Sequence, residues 1–335
     1  MERTPNVKDH TENMPYEGRF EGLKTNAKFI FIEIIAVTIL VISVILLCVS
    51  TETLGSECVV DYTDCENFDK HTITCKDTLK SQQSPCICYI EVNITEPIGK
   101  YVTVYYELNT YDQGASSYYS SRDDKQLMGV LSQSPSASCG PYSYINTTEG
   151  TKPIAPCGEI ADSMFNDTFS LRKDDYVPSI NTGLISEEDK AAYRNPPGNL
   201  EEAFKNFSKP LNWIHNVWEL DTLNNSNNGF QNEAFIAWMR TDWKRKPVWR
   251  VNNTGIYKDG IPAGDYTLRV EYSYPPSRYD GRRIFIISSI HYVINPIKLG
   301  LGIGLLILGT IVFISKIFYN RRVYGEYIKC EKLTN

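Results

Sequence analysis

The sequence predicts a membrane protein: two transmembrane helices plus a mainly antiparallel β ectodomain, sandwich-like, with long loops and short helices. Three observations predict it. Two long apolar segments lie near the ends of the chain, the N-glycosylation acceptors and most cysteines fall between them, and apolar residues in that stretch alternate with period two.

The first apolar segment, Phe29–Val49, holds 21 residues between Lys28 and Thr51–Glu52 and carries one charge, Glu33. A bilayer core needs roughly 20 residues. A secretory signal peptide has a shorter apolar region, about 7–15 residues, with a small-residue cleavage site. This longer run, behind a 28-residue polar tail, reads as a permanent anchor. Glu33 stands five residues past Lys28 and is expected to snorkel toward the cytosol. The second segment, Leu299–Ser315, has Lys298 and Lys316 at its ends; Ile294–Ile297 and Ile317–Tyr319 extend its 17 residues. Gly300 and Gly304 suit close helix packing, although glycine is common in spans.

Flanking charge sets the orientation. Arg19, Lys24 and Lys28 precede the first span, whereas Glu52, Glu57, Asp61 and Asp64 follow it. The basic side stays in the cytosol. The second span returns the chain toward Arg321 and Arg322, although Arg282 and Arg283 on the other side make that flank less decisive. The expected order is a cytosolic tail (1–28), a span (29–49), a lumenal or extracellular, glycosylated, disulfide-bridged domain (50–296), a span (297–319) and a cytosolic tail (320–335). Residues 1–28 hold five basic and five acidic residues without periodicity and are expected to be disordered. Net charge is only −6 and no basic run points to nucleic acid.

Six Asn-x-Ser/Thr acceptors, Asn93, Asn146, Asn166, Asn206, Asn224 and Asn252, all lie between the spans. So do seven of the nine cysteines: Cys58, Cys65, Cys75, Cys86, Cys88, Cys139 and Cys157. In an oxidising compartment they form disulfides by default. Cys86-Ile-Cys88 lacks the second close pair and nearby histidine of a zinc site. On a strand these two cysteines share a face. Six cysteines allow 15 pairings, and a seventh leaves one thiol over.

Tyr266, Leu268, Val270, Tyr272 and Tyr274 alternate with polar residues as in a half-buried strand, and Val102, Val104, Tyr106 and Leu108 make another. Ile284–Ile290 reads as a more buried strand. Pro275-Pro-Ser-Arg-Tyr-Asp-Gly281 is turn chemistry and suggests a hairpin between the Tyr266 and Ile284 strands. Ile261–Gly264 is another turn. Short helices are expected at Glu187–Arg194, Leu200–Asn206 and Glu233–Arg240.

No catalytic constellation is legible. His10, His71, His215 and His291 are scattered, and no nucleophile elbow or phosphate loop occurs. Arg122-Asp-Asp-Lys125 reads as a solvated turn. Trp213, Trp218, Trp238, Trp243 and Trp249 read as core and interface residues rather than a ligand cage. Neither a cofactor nor a metal is expected, and the chain does not read as an enzyme.

Several ordered blocks carry a resemblance. The longest is Lys152-Pro-Ile-Ala-Pro-Cys-Gly-Glu-Ile-Ala-Asp-Ser-Met-Phe-Asn-Asp-Thr-Phe169. With it stand Asp61-Tyr-Thr63, Tyr119–Leu127, Arg194-Asn-Pro-Pro-Gly198, Lys209-Pro-Leu-Asn-Trp213, Asn227–Glu233 with Trp238-Met-Arg-Thr241, and Pro262-Ala-Gly-Asp-Tyr266. From about residue 61 to 290 the chain resembles the β-subunits of phospholipid flippases, the ligand-effect modulator or cell division control fifty family. It departs from their pattern at Tyr16–Lys24 and at His291–Pro296, beside the membrane.

The resemblance implies disulfides Cys65–Cys88, Cys75–Cys86 and Cys139–Cys157, with Cys58 left over, and glycosylation at Asn93 and Asn166. It implies a non-catalytic accessory subunit, in a heterodimer with a type-IV P-type ATPase that moves aminophospholipids to the cytosolic leaflet. The subunit would be needed for folding, endoplasmic-reticulum exit and activity of that ATPase. The complex would sit among the lipids of the endoplasmic reticulum, Golgi, endosomes and plasma membrane. A two-span ligand-gated or acid-sensing ion-channel subunit shares the topology, but a pore needs polar rings and the second span offers only glycines and Thr310. An adhesion or receptor ectodomain would not need two spans.

Overall fold

In the computed structural model, which describes residues 16–82, 84–148 and 150–331, the chain divides into two compact units. Described residues up to Leu54 and from His291 onward form one; Gly55–Ile290 form the other.

The first unit is a helix pair. Tyr16–Cys48 and Pro296–Glu331 are helical, and within them Ile30–Cys48 and Pro296–Tyr319 are long and apolar enough to cross a membrane. The first helix thus begins 13 residues before Phe29, inside the stretch expected to be disordered. Extending an existing helix adds one hydrogen bond per residue fixed and avoids the costly nucleus. Residues 1–15 lie outside the described residues. Beyond Ser50 the chain pairs with itself: Thr51–Leu54 runs antiparallel to His291–Ile294, with Thr51 opposite Ile294.

Small residues set how closely the helices approach. Ala36 and Ser43 are the buried side chains of the first span. On the second, a Cβ added at Gly302 would lie 2.9 Å from Leu47, and one at Gly309 would lie 2.8 Å from Leu40. At Gly300 and Gly304 an added Cβ would meet nothing within 4 Å. The packing glycines are therefore seven residues apart, the spacing that returns to one side of a helix after two turns, and the Gly300/Gly304 pair faces away. Gly309→Leu should overpack this contact and cost about 1–3 kcal/mol, whereas Gly304→Leu should be near neutral. Melting temperatures of the two variants in mild detergent check this; equal losses would contradict it.

Each end of the pair carries an ion pair. Lys298 Nζ lies 2.6 Å from Glu52 Oε1, which also accepts from Asn295 Nδ2 at 3.1 Å. These bonds, from Lys298 first, hold the Glu52 carboxyl below its usual range. Lys316 Nζ reaches Glu33 at the other end, so Glu33 has a partner on the opposite helix, which snorkelling alone did not require. The 18 residue steps from Lys298 to Lys316 span about 27 Å of helix, close to the ~30 Å hydrocarbon thickness. The charges therefore fall where the apolar layer ends.

The remaining segments are short. The strands, in chain order, are β1 (Thr51–Leu54), β2 (Glu57–Asp61), β3 (Cys86–Ile94), β4 (Thr103–Leu108), β5 (Tyr144–Thr147), β6 (Gly150–Pro153), β7 (Thr168–Arg172), β8 (Ser179–Ile180), β9 (Arg245–Val251), β10 (Gly264–Tyr272), β11 (Arg283–Ser288) and β12 (His291–Ile294). In the second unit they form an antiparallel three-stranded sheet, β3-β10-β7, a five-stranded sheet, β2-β11-β4-β9-β8, and the β5-β6 ribbon. Alternation places Tyr266, Leu268, Val270 and Tyr272 inward on β10. They share one core with Val104 and Tyr106 of β4 and Phe285 and Ile287 of β11. Phe169 of β7 meets Phe285 of β11 at 5.2 Å between ring centroids, which closes the two larger sheets on each other.

The expected hairpin does not form. β10 pairs with β3 and β7, while β11 pairs with β2 and β4 in the other sheet. The turn residues are correctly placed, but the ten-residue connection carries the chain between sheets. Pro275 and Pro276 have no N–H to extend a ladder, and distant strands bury both faces better than a neighbour could. The expected helices are present but shorter: Glu187–Lys190, Leu200–Phe204 and Glu233–Met239.

Candidate functional site

Three bridges cross-link the second unit. Cys86 and Cys88 sit on the buried face of β3. Cys88 is joined to Cys65 and Cys86 to Cys75, with Cα separations of 6.0 and 5.4 Å. The sulfurs of Cys65, Cys75 and Cys88 lie within 4.8 Å of one another, yet all three are in disulfides and supply no thiolate for a metal. Cys139 is joined to Cys157 across 5.7 Å. The free cysteines among the described residues are Cys48, exposed, and Cys58, half-buried.

The Lys152–Phe169 segment is mostly buried, and the other sequence blocks converge on it. Gln126 donates to Ile154 O at 3.0 Å and accepts from Cys157 N at 2.8 Å. Ser121 Oγ accepts from Glu159 N at 2.9 Å. Gly158 has φ +105°, and a Cβ there would stand 2.0 Å from Ser121 O, so only glycine fits. Trp213 and Trp238 donate their indole N–H groups to Ala161 O and Ile160 O, each at 2.7 Å. Tyr274 OH donates to Ser163 O at 2.8 Å. Buried tryptophans and tyrosines need such partners, and here the partners are carbonyls of one short helix, Glu159–Asp162, and of its C-cap, Ser163. Asp162 accepts from Arg278 at 2.7 Å and from Asn212 at 2.5 Å.

At the end of this segment lies a fully buried ion pair. Asp167 Oδ2 is 2.8 Å from Arg283 Nη1, and both side chains are 0% exposed. The other Asp167 oxygen accepts the backbone N–H groups of Ser273 and Tyr274 at 2.6 and 2.7 Å. Arg283 donates onward to Tyr274 O at 2.7 Å and stacks 4.1 Å from the centroid of the Tyr272 ring. Thr63 Oγ1 accepts from Arg283 N at 2.9 Å, and Tyr62 OH donates to Asp167 at 3.2 Å. Burial raises the pKa of Asp167, and Arg283 with the two amides opposes that rise. This node ties β2, β7, β10 and β11 together exactly where the hairpin would have been; nothing in the sequence marks Arg283 apart from Arg282. Arg282 is exposed and pairs with Asp61 at 2.8 Å.

A second polar centre holds the long 173–244 connection. Glu233 accepts from Lys190 at 2.6 Å and from Leu184 N at 2.6 Å. Burial opposes its ionisation, but these bonds outweigh burial and keep the carboxyl below its usual range. Asn195 donates to Asn228 O and accepts from Phe230 N, both at 2.8 Å. Lys246 is buried beside the Trp238 ring and donates to the Trp238 and Arg240 carbonyls; burial pushes its pKa down to about 7.

The other candidates sort by burial. Asn93, Asn146 and Asn206 are exposed, and Asn166, Asn224 and Asn252 are half-buried. Trp213, Trp238 and Trp249 are core residues, with Trp218 and Trp243 packed against them. The Arg122–Lys125 stretch is not a fully solvated turn. Asp123 is buried and caps the Asp124–Leu127 helix, accepting from Lys125 N and Gln126 N, while Asp124 pairs with Arg122.

The bridges and buried hydrogen bonds thus build one scaffold. Comparison with known proteins says whose scaffold it is. The model of the LEM3 (ligand-effect modulator 3) / CDC50 family matches residues 47–324. The chain belongs to the LEM3/CDC50 family. Membership makes it a membrane-anchored accessory subunit rather than an enzyme, as the ordered blocks implied. Mouse "Cell cycle control protein 50A" is 38% identical over 273 residues, 76% of this chain and 72% of that protein. Human "Cell cycle control protein 50B" is 36% identical over 249 residues, 69% of each chain. A more distant relative, "ALA-interacting subunit 3" of Arabidopsis thaliana, is 27% identical over 230 residues, 68% of this chain and 61% of that protein. The family match covers the whole sheet unit and the second apolar helix, and begins at the end of the first.

Proposed function

We propose that this chain is the non-catalytic accessory subunit of a phospholipid flippase, paired one-to-one with a type-IV P-type ATPase that moves aminophospholipids to the cytosolic leaflet. The observation that carries the reading is the family match across residues 47–324. The name of the Arabidopsis relative, an interacting subunit, points the same way. The partner supplies the phosphorylated aspartate; this chain has no Asp-Lys-Thr-Gly sequence. Both termini face the cytosol, and the bridged domain, glycosylated at the six acceptors, faces the lumen or cell exterior. Binding the native partner stabilises it by mass action without chemistry in this chain, which is how the subunit promotes folding, endoplasmic-reticulum exit and activity of the ATPase. The complex then works in Golgi, endosomal and plasma membranes.

The channel reading has less support. Thr310 spends its hydroxyl proton on Leu306 O at 2.6 Å, and Thr38 spends its own on Ile34 O at 2.7 Å, so neither has a free donor to offer a pore. Maturation of the glycans tests the proposal. Expressed alone, the chain should keep endoglycosidase-H-sensitive glycans; co-expressed with its cognate ATPase, it should acquire resistant ones. Full maturation without any ATPase would overturn the chaperone part of the reading.

A further inference from the structure

The outer face of the β3-β10-β7 sheet forms a groove of about 470 Å³. Its walls are aromatic. Phe68 and Tyr89 meet edge to face at 4.9 Å and are 54% and 44% exposed, and Tyr176 is 59% exposed. Exposed aromatic clusters of this kind mark binding surfaces. Its charges offset one another, Glu66 and Glu91 against Arg172 and Arg269. A neutral groove offering ring faces, carboxylates and guanidinium donors fits an uncharged polyhydroxylated ligand: apolar sugar faces stack on the rings and hydroxyls bond the charged groups. An acidic peptide or a lipid phosphate would find no net complement there.

The register brings such a ligand to the groove. Tyr89 lies opposite Arg269, Glu91 opposite Thr267, and Asn93 opposite Asp265. Asn93 thus stands on the same face, one row beyond the groove, exposed at its rim. Alternate strand residues are about 7 Å apart, so Glu91 and Tyr89 lie roughly 7 and 14 Å from the Asn93 attachment point. We propose that this groove is a seat for the inner sugars of the Asn93 glycan, which folds back along β3 and covers Phe68, Tyr89 and Tyr176. Because the ligand is tethered, its effective concentration is in the millimolar range and weak stacking contacts suffice. The proposal rests on the reading that the domain is lumenal and Asn93 is glycosylated.

The test uses the full chain, purified in mild detergent from a glycosylating host. Native protein is treated with peptide-N-glycosidase F, and conversion of each acceptor asparagine to aspartate is followed by mass spectrometry. Asn93 should be released about tenfold more slowly than exposed Asn146, the effect of one or two ring contacts. Tyr89→Ala combined with Tyr176→Ala should bring the two rates together. In a second measurement, Thr95→Ala, which removes the acceptor and leaves the groove intact, should increase hydroxyl-radical oxidation of Phe68, Tyr89 and Tyr176. Equal release rates at an occupied Asn93 would overturn the seat alone; an unoccupied Asn93 would overturn the glycosylation reading with it. Ring protection that appears only when an ATPase is bound would assign the groove to a protein partner and reject the glycan.

Discussion

Replacing Arg283 with methionine should destabilise the ectodomain by about 3–5 kcal/mol, the usual cost of leaving one partner of a buried ion pair without the other. The methionine fills similar volume, so the loss would come from charge and hydrogen bonds rather than from a cavity. Asp167 would be left fully buried with only Tyr62 OH and two backbone amides, and the Tyr274 and Tyr279 carbonyls would each lose a donor. Asp167→Asn in the Arg283→Met background removes the stranded charge, keeps an acceptor for the Ser273 and Tyr274 amides, and preserves the Asn166-Asp167-Thr168 acceptor pattern. It should recover part of the loss. Arg282→Met, which removes only the exposed pair with Asp61, should cost at most about 1 kcal/mol. Thermal melting of the three purified variants checks the ranking. An Arg283→Met protein as stable as the Arg282→Met one would show that the node is not holding the two sheets.

Opening the Cys139–Cys157 bridge should cost nearly as much. It closes a loop with 17 intervening residues, for which the chain-entropy account gives about 3 kcal/mol. Cys157 also lies inside the buried segment, where its backbone N–H bonds Gln126. Cys157→Ser should therefore sharply lower the amount of protein leaving the endoplasmic reticulum. Cys58→Ser, at a half-buried thiol outside any bridge, should change it little. Peptide mapping under non-reducing conditions should recover Cys65 with Cys88 and Cys75 with Cys86. A crossed pairing, Cys65 with Cys86, would reject the arrangement on β3.

What could be read without coordinates was local. The β10 stripe is visible because a half-buried strand writes its two faces alternately into the chain, and the apolar spans are visible because lipid tolerates almost nothing polar. Sheet membership was hidden. β10 and β11 are separated by an evident turn, yet their partners lie up to about 230 residues away, and no periodicity encodes that distance. Charge was misread for the same reason. Arg282 and Arg283 look alike as a basic flank of the second span, but Arg283 is consumed by Asp167 in the core, so only Arg282 remains as surface charge there. That removes half of the apparent conflict in the orientation argument. The conspicuous Gly300/Gly304 spacing pointed to the wrong face, because which side of a helix meets its neighbour depends on the neighbour. The ordered blocks were legible as a resemblance, and the structure gives their physical reason: they supply the side chains and carbonyls that meet around Ile154–Asp167, where almost every buried polar group has a specific partner.

The central claim is that this chain acts only as part of a larger ATPase complex. The most direct measurement is its composition and activity after tagged purification from native membranes in mild detergent. The account expects a one-to-one complex with a much larger P-type ATPase chain. That complex should move a fluorescent aminophospholipid in reconstituted vesicles, and the purified subunit alone should neither hydrolyse ATP nor move lipid. A homotrimer of this chain that carries agonist- or acid-evoked current in a bilayer would contradict the account and establish the channel reading.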